Sequence, residues 1–119
     1  LQPVDIAGLK KERRAESSSE IRVRVQKARE RQRERFAGTK CRFNVDIEGT
    51  NIERYCSLDG DGQALMERLY HSLQLSARAY HRILKVARTI ADLEGAEKIG
   101  TEHLLEASFY RPSAEYWGV

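Results

Sequence analysis

Residues 76–95 read SARAYHRILKVARTIADLEG, and this stretch decides the fold of the 119-residue chain. Its apolar side chains recur at the spacing of an α-helix and form the widest apolar surface in the sequence. They are Ala79, Tyr80, Ile83, Leu84, Val86, Ala87, Ile90, Ala91 and Leu93. Ser76 can cap the first turn, and Gly95 can end the helix in the left-handed conformation that glycine allows. We therefore predict that this is the central helix of an all-α core.

On the N-terminal side, a long helix with a thin apolar stripe is predicted to end before Gly38. Ser17 and Glu20 have the spacing of a capping box and mark its start. The stripe consists of Ile21, Val25, Ala28, Gln32 and Phe36, and arginines fill the other faces. A helix with so little apolar surface should pack weakly and project. Residues 1–16 show little periodicity and are predicted to be an extended segment that connects to a missing domain.

The stretch between these two helices contains weaker signals. Residues 38–49 have no helical period and are predicted to form a loop, although residues 42–47 alternate as a short strand would. Thr50 and Glu53 repeat the capping-box spacing ahead of a short helical turn. Residues 57–59 can then start a leucine-rich helix that reaches about Leu73.

On the C-terminal side, Thr101 is predicted to cap a last helix that ends before Pro112. The fold class is thus a small helical bundle, with residues 17–111 as the domain and residues 112–119 as a tail. Eight side chains that share the helical period are predicted to form its core: Leu65, Leu69, Ile83, Val86, Ile90, Leu104, Leu105 and Phe109.

The composition narrows the class of protein. The chain is 40% hydrophobic and 33% charged and has only two prolines, which suits amphipathic helices. Apolar runs fall short of the roughly 20 residues that span a bilayer, so a cytoplasmic location without membrane contact is predicted. The chain begins with Leu1, which suggests a piece of a longer protein. Cys41 and Cys56 lack metal-site spacing and are predicted to be free thiols.

Charge is distributed unevenly, and two explanations stay open. Residues 1–40 contain 12 Lys and Arg against 6 Asp and Glu, whereas residues 41–119 contain 9 against 12. The basic part could contact an anion or a nucleic acid. Arg and Glu interleaved on one helix could equally form a solvated, salt-bridged surface.

Self-sufficient catalysis is not indicated by any motif. The sequence contains no GxxxxGK[ST] phosphate loop, no GxSxG elbow and no HExxH pair. His71, His81 and His103 lie apart on helices and are more typical of helix surfaces or core edges than of metal ligands. Asp59 to Gly62 does not complete a calcium loop, because Tyr70 stands where the bidentate glutamate belongs. We predict that the chain alone hydrolyses no ATP and holds no metal.

A row of cations begins at the start of the central helix. Arg78 lies in the first turn, where a positive charge loses roughly 0.3–1 kcal/mol relative to an acid. Arg82 and Lys85 continue the row. Its arginines could present a guanidinium to a phosphate, because the planar fork pairs bidentately with phosphate oxygens. The alternative is that Arg78 pairs with Glu67 or Glu102 or stays solvated. Arg88, lower on the helix, is predicted to lie outside this site.

Three stretches resemble the magnesium chelatase family of AAA+ ATPases, in particular its ComM-like bacterial branch. Residues 16–36, ESSSEIRVRVQKARERQRERF, are similar to the helix that follows the ATPase core. Residues 75–93, LSARAYHRILKVARTIADL, and residues 99–107, IGTEHLLEA, are similar to the end of the C-terminal lid. The resemblance covers about residues 16–111, and it implies that Arg78 is the sensor-2 arginine that contacts the γ-phosphate of ATP, with Arg82 as a secondary contact.

The same resemblance implies ligands, a further domain and neighbouring subunits outside this chain. The parent protein would bind ATP and Mg²⁺ mainly through its own ATPase core and would form a ring with neighbouring subunits. ComM-like proteins act in natural transformation and in branch migration of DNA, whereas true chelatase subunits act in porphyrin metallation, and the similarity to the former favours DNA. Two alternatives remain: a free-standing basic DNA-binding module, and an interaction adaptor that uses the apolar stripe of the first helix.

Overall fold

A computed structural model describes residues 17–110 of the chain, and the predicted all-α class is confirmed. Five α-helices follow one another: α1 (Ser18–Arg35), α2 (Asn51–Tyr55), α3 (Gly60–Ser72), α4 (Ala77–Glu94) and α5 (Thr101–Phe109). A 3-10 turn, Asn44–Asp46, lies between α1 and α2, and residues 17–110 contain no strand. None of the helices in this part of the chain is long and apolar enough to cross a membrane. The predicted extended segment 1–16 and the tail 112–119 lie outside the described residues.

Helix α4 is central, as its sequence predicts. The Ser76 hydroxyl accepts a hydrogen bond from the Ala79 N–H at 3.1 Å, which satisfies one amide at the helix start. Gly95 ends the helix with a φ of 78°, and the Ala96 N–H then bonds to the Ala91 carbonyl at 2.8 Å. Helix α4 packs against α5, α1, α2 and the 3-10 turn, so its position fixes that of most other elements.

The core around α4 contains most of the predicted residues. Leu65, Ile83, Val86 and Leu104 are buried, and Leu69 and Ile90 pack against them partly buried. The prediction is wrong for Leu105, which is 43% exposed, and for Phe109, which is 81% exposed. Helix α5 buries only the side that meets α3 and α4, where Leu104 and Ala107 lie. The remaining core volume is filled in part by residues from loops and short elements, among them Ile47, Ile52 and Ile99.

One predicted helix cap is at the wrong residue, and another, Thr50, is at the predicted N-cap position but lacks the side-chain hydrogen bond. Gly100, not Thr101, is the N-cap of α5, and its N–H donates to His103 Nδ1 at 2.8 Å. His103 therefore does by its ring nitrogen what a glutamate does in a usual capping box. Thr50 makes no side-chain capping bond at α2, which has only five residues. By contrast, Asp59 caps α3 by accepting from the Gly62 N–H at 2.8 Å, within the predicted start at 57–59.

Helix α1 is attached to the bundle only by its C-terminal half. Ala28, Gln32 and Phe36 are buried, whereas Ile21 at the other end is 44% exposed. The N-terminal half is therefore exposed, as the thin apolar stripe predicts, whereas the C-terminal half is packed more firmly than predicted. Phe36 anchors it to the core and meets the Tyr55 ring edge-on, with 5.3 Å between ring centroids.

The segment after α1 is the predicted loop. The Asp46 carboxylate accepts hydrogen bonds from the Arg42 and Phe43 N–H groups, both at 3.0 Å, which curls the chain into the 3-10 turn instead of a strand. These two backbone bonds hold the pKa of Asp46 below its ordinary value, because they stabilise the charged carboxylate. The turn places Asn44 and Ile47 inside the bundle.

Candidate functional site

Arg78 occupies the exposed first turn of α4, where the sequence places it. No acidic residue lies in that turn to offset its charge. Within residues 17–110, Arg78 forms no ion pair, so neither of the considered pairs with Glu67 and Glu102 is present. An uncompensated guanidinium at the partly positive end of a helix makes a local field that favours an anion.

The other two cations of the row differ in their surroundings. Arg82 is half-buried and lines a groove of about 230 Å³ between α4 and the end of α5, together with Leu75 and Ala107. Lys85 is turned toward the 3-10 turn, where its Nζ donates to the Val45 carbonyl at 3.2 Å. The candidate site is thus built from Arg78 and Arg82, and Lys85 has a structural contact instead.

A larger basin of about 850 Å³ opens beside the start of α4, between α2, α3 and α4. Tyr70, His71, Tyr80 and His81 line it, and the two tyrosine rings meet edge-on with 5.9 Å between centroids. Arg78 is not part of its lining, so the basin and the arginine site adjoin without coinciding. Among the described residues, no three His, Cys, Asp or Glu side chains are placed to hold a metal ion.

A buried polar network, which the sequence alone does not predict, connects α1 to α4. Asp92, 1% exposed, accepts from both terminal nitrogens of Arg35, at 2.7 and 2.8 Å. Asn44 Nδ2 donates to the same carboxylate at 2.8 Å and to Thr89 at 3.1 Å. The Asn44 N–H in turn donates to Gln32 Oε1 at 2.8 Å. The hydrogen bond to Asp92 raises the pKa of Arg35, so the Arg35 guanidinium stays charged.

Arg88, which is predicted to lie outside the Arg78 site, belongs to this buried network. It is 5% exposed and lies 3.2 Å from the Asp92 carboxylate. Its terminal nitrogens also donate to the carbonyls of Glu97, at 2.9 Å, and Ala96, at 3.0 Å, which closes the turn after α4. Burial lowers the pKa of Arg88 while Asp92 opposes that effect. Removing this side chain would disturb the fold, so Arg88 cannot serve as a neutral comparison for Arg78.

A sequence signal for the network exists in hindsight. Arg88 and Asp92 stand four residues apart on the predicted central helix, next to the buried positions Ala87 and Ala91. A charged pair at that spacing on an apolar side of a helix indicates a buried ion pair. Its third member, Arg35, is one of many arginines in α1, and only the tertiary structure distinguishes it.

These contacts make α1 and α4 one rigid unit near the C-terminal ends of both helices, while Arg78 stands at the opposite end of α4. Such an arrangement can present a positive charge to an anionic ligand.

The helical fold and the exposed cationic site define a class of protein domain, and comparison with known proteins identifies that class. Residues 15–111 match the family described as magnesium chelatase, subunit ChlI C-terminal. The chain belongs to this family of C-terminal domains of magnesium chelatase-like AAA+ proteins.

Individual relatives narrow the position within the family. The chain is 47% identical over 98 residues to competence protein ComM of Haemophilus influenzae, covering 82% of this chain and 18% of that protein. It is also 47% identical over 70 residues to the uncharacterized protein YifB of Salmonella typhimurium, covering 59% of this chain and 14% of that protein. The chain therefore spans less than a fifth of the length of these curated relatives.

Proposed function

We propose that this chain is the C-terminal lid of a magnesium chelatase-type AAA+ ATPase and that Arg78 is its sensor-2 arginine. ATP and Mg²⁺ would be bound mainly by an ATPase core outside this chain, and Arg78 would contact the γ-phosphate when the lid closes over it. The observation that carries the proposal is that Arg78 is exposed in the first turn of α4 without a carboxylate partner among residues 17–110.

The electrostatics of this position favour such a role. A cation in the first turn is locally unfavourable by roughly 0.3–1 kcal/mol, and no intramolecular contact in the described domain offsets that loss. A γ-phosphate would offset it, because charge-assisted hydrogen bonds to a guanidinium are about twice as strong as neutral ones. Arg82, one turn further along α4, would add a secondary contact from the rim of its groove.

The buried network supports the proposed coupling between nucleotide and lid position. Helix α1 comes first in the domain, and the bonds of Arg35 to Asp92 tie it to α4. A shift of α4 that follows contact of Arg78 with the γ-phosphate would therefore move α1 as well. In a ring with ATP between neighbouring subunits, this movement would be the signal that passes from the nucleotide to the rest of the assembly.

We also propose that the motor remodels DNA. The support is the similarity to a competence protein and the basic character of α1, which has seven Lys and Arg against three Asp and Glu. This charge suits a polyanionic substrate better than a small porphyrin.

The experiment replaces Arg78 by alanine in the full-length protein and measures both the ATPase rate and the melting temperature. Loss of an arginine that stabilises the transition state can reduce turnover by about 10³ or more, and by less when it only senses the nucleotide. The melting temperature should stay near that of the wild type, because no ion pair within the described domain is lost. Arg68→Ala, an exposed arginine on α3, is the control and should keep normal turnover. Normal turnover in Arg78→Ala, or a loss that follows unfolding, would refute the sensor role.

A further inference from the structure

Three exposed arginines form a row along one side of α1. Arg22, Arg29 and Arg33 are spaced seven and four residues apart, with Gln26 between the first two, so they follow one line along the helix. This line lies beside the buried positions of α1 and contains no apolar residue. Neither the core nor the candidate nucleotide site uses it.

The row lacks the carboxylates that would make it an ordinary salt-bridged surface. The helix neighbours three and four positions from Arg22 and Arg29 are Ser, Val, Gln or Arg, and only Arg33 has a glutamate, Glu30, at such a distance. In the described part of the chain, none of the three arginines forms an ion pair. Their charge is therefore available to an external anion.

The dimensions of the row fit an extended polyanion better than a single phosphate. From Arg22 to Arg33 the helix rises by about 16 Å, at about 1.5 Å per residue. Duplex DNA carries one negative charge per roughly 1.7 Å of its axis, so a row of this length faces several phosphates at once. Arginine is suited to them because its planar fork pairs bidentately with phosphate oxygens.

The rest of the bundle holds the row of arginines rigidly, and its opposite net charge favours binding of a polyanion at α1. Burial of Ala28, Gln32 and Phe36 and the Arg35–Asp92 pair hold the helix before any ligand arrives. Helix α1 has a formal net charge of +4, from seven basic and three acidic residues, whereas residues 36–110 have −2, from nine basic and eleven acidic. A polyanion would thus be drawn to α1 and repelled by the remainder of the domain.

We infer that Arg22, Arg29 and Arg33 form a contact surface for the phosphate backbone of duplex DNA. The inference rests on the proposed function, because it identifies a part of the lid that would hold the substrate of the motor. The contact reads no sequence, since guanidinium groups that bind phosphates fix position without distinguishing bases. The lid would then respond to nucleotide through Arg78 and to DNA through α1.

The test measures binding of the full-length protein to a fluorescent duplex of mixed sequence at several salt concentrations. The variant Arg22→Gln/Arg29→Gln/Arg33→Gln should bind at least about tenfold more weakly near 100 mM salt. Its plot of log K against log salt should be shallower by about 2 to 3, because each lost phosphate contact removes about 0.9 from the slope. Its ATPase rate without DNA should match the wild type. The control variant Arg42→Gln/Arg68→Gln/Lys98→Gln removes the same charge from exposed positions outside α1 and should keep the steeper slope.

Three outcomes would overturn the inference. If the triple α1 variant binds DNA with the affinity and slope of the wild type, the surface is wrong, and the nucleotide role of Arg78 is untouched. If the control variant weakens binding as much as the α1 variant, the effect is one of net charge and not of this row. If the wild-type protein binds vesicles with anionic lipid more tightly than it binds the duplex, the partner is a membrane surface and the DNA contact is wrong. In that case an ATPase rate that still depends on Arg78 would show that the lid assignment itself holds.

Discussion

At the scale of single residues, Asp92 has the largest consequence for the fold. Its side chain is fully buried and is the common acceptor for Arg35, Arg88 and Asn44. Two guanidinium groups would lose their counter-charge if it were removed, and an unpaired buried charge is far more costly than a missing pair. The network therefore behaves as one unit and not as separate contacts.

Asp92→Ala should lower the free energy of unfolding by about 3–5 kcal/mol, the usual cost of breaking a buried pair by removing one partner. Urea unfolding of the chain, followed by circular dichroism, measures this change. Glu106→Ala, at an exposed position of α5, is the matched control and should stay within about 0.5 kcal/mol. A loss below about 1 kcal/mol for Asp92→Ala would mean that the network contributes little.

Cys56 allows a chemical test of the core. Burial raises the pKa of its thiol to about 11, although Arg88 opposes the shift. At pH 8 only about one molecule in a thousand would then carry the reactive thiolate at this position. Iodoacetamide should modify only the half-exposed Cys41 of the native chain, giving one adduct by mass spectrometry and two after unfolding. The thiolate fraction of Cys56 rises with pH, so its labelling should increase toward pH 11. Equal native labelling of both thiols at pH 8 would contradict the buried position.

The role of a single residue could be predicted from the sequence where it depends on neighbours along the chain, and not where it depends on distant contacts. Arg78 could be singled out because a positive charge in the first turn of a helix is unfavourable, and the sequence alone shows where the charge and the helix start lie. Arg35 could not be separated from the other arginines of α1, because its partner Asp92 is 57 positions away along the chain. Leu105 and Phe109 were misassigned for the same reason, since which side of α5 meets α3 and α4 is a tertiary property.

At the scale of elements, some helix ends could be predicted from the sequence and others could not. The end of α4 at Gly95 was predictable, because a positive φ strongly favours glycine. The start of α5 was not, because His103 caps through its ring nitrogen and follows no common sequence pattern. A loop is predicted at residues 38–49 despite the strand-like alternation at 42–47, and the hydrogen bonds from the Arg42 and Phe43 N–H groups to Asp46 fix a turn there.

Replacing two glycines by alanine tests these element ends. Gly95→Ala should lower the melting temperature by roughly 4–16 °C, because a left-handed residue with a Cβ loses about 1–2 kcal/mol and each kcal/mol corresponds to about 4–8 °C in a domain of this size. Gly60→Ala at the start of α3 is the comparison: its Cβ would meet nothing within 4 Å, so stability should be unchanged or slightly higher. Equal melting temperatures for Gly95→Ala and the wild type would show that this helix end does not depend on glycine.

At the scale of the whole molecule, we propose separate tasks for three parts of the domain. The start of α4 presents Arg78, α1 presents its row of arginines, and the network around Asp92 holds the two helices together. The sequence could predict the bundle and its family, because helical periodicity and the order of motifs can be recognised directly in the sequence. It could not predict the link between α1 and α4, because that link joins Arg35 to the distant Asp92 and is completed by Asn44 from the turn between α1 and α2.

The central claim is that Arg78 recognises the γ-phosphate of ATP, and its most direct test compares two nucleotides. In the full-length protein, the Kd of a non-hydrolysable ATP analogue and the Kd of ADP are measured for the wild type and for Arg78→Ala. A hydrogen bond to a charged group contributes about 1.5–3 kcal/mol, so the variant should bind the analogue roughly 10- to 100-fold more weakly. Its affinity for ADP should change by less than about twofold, because ADP has no γ-phosphate for Arg78 to contact. If Arg78→Ala weakens both nucleotides equally, or neither, Arg78 does not distinguish them and the proposed sensor role is wrong.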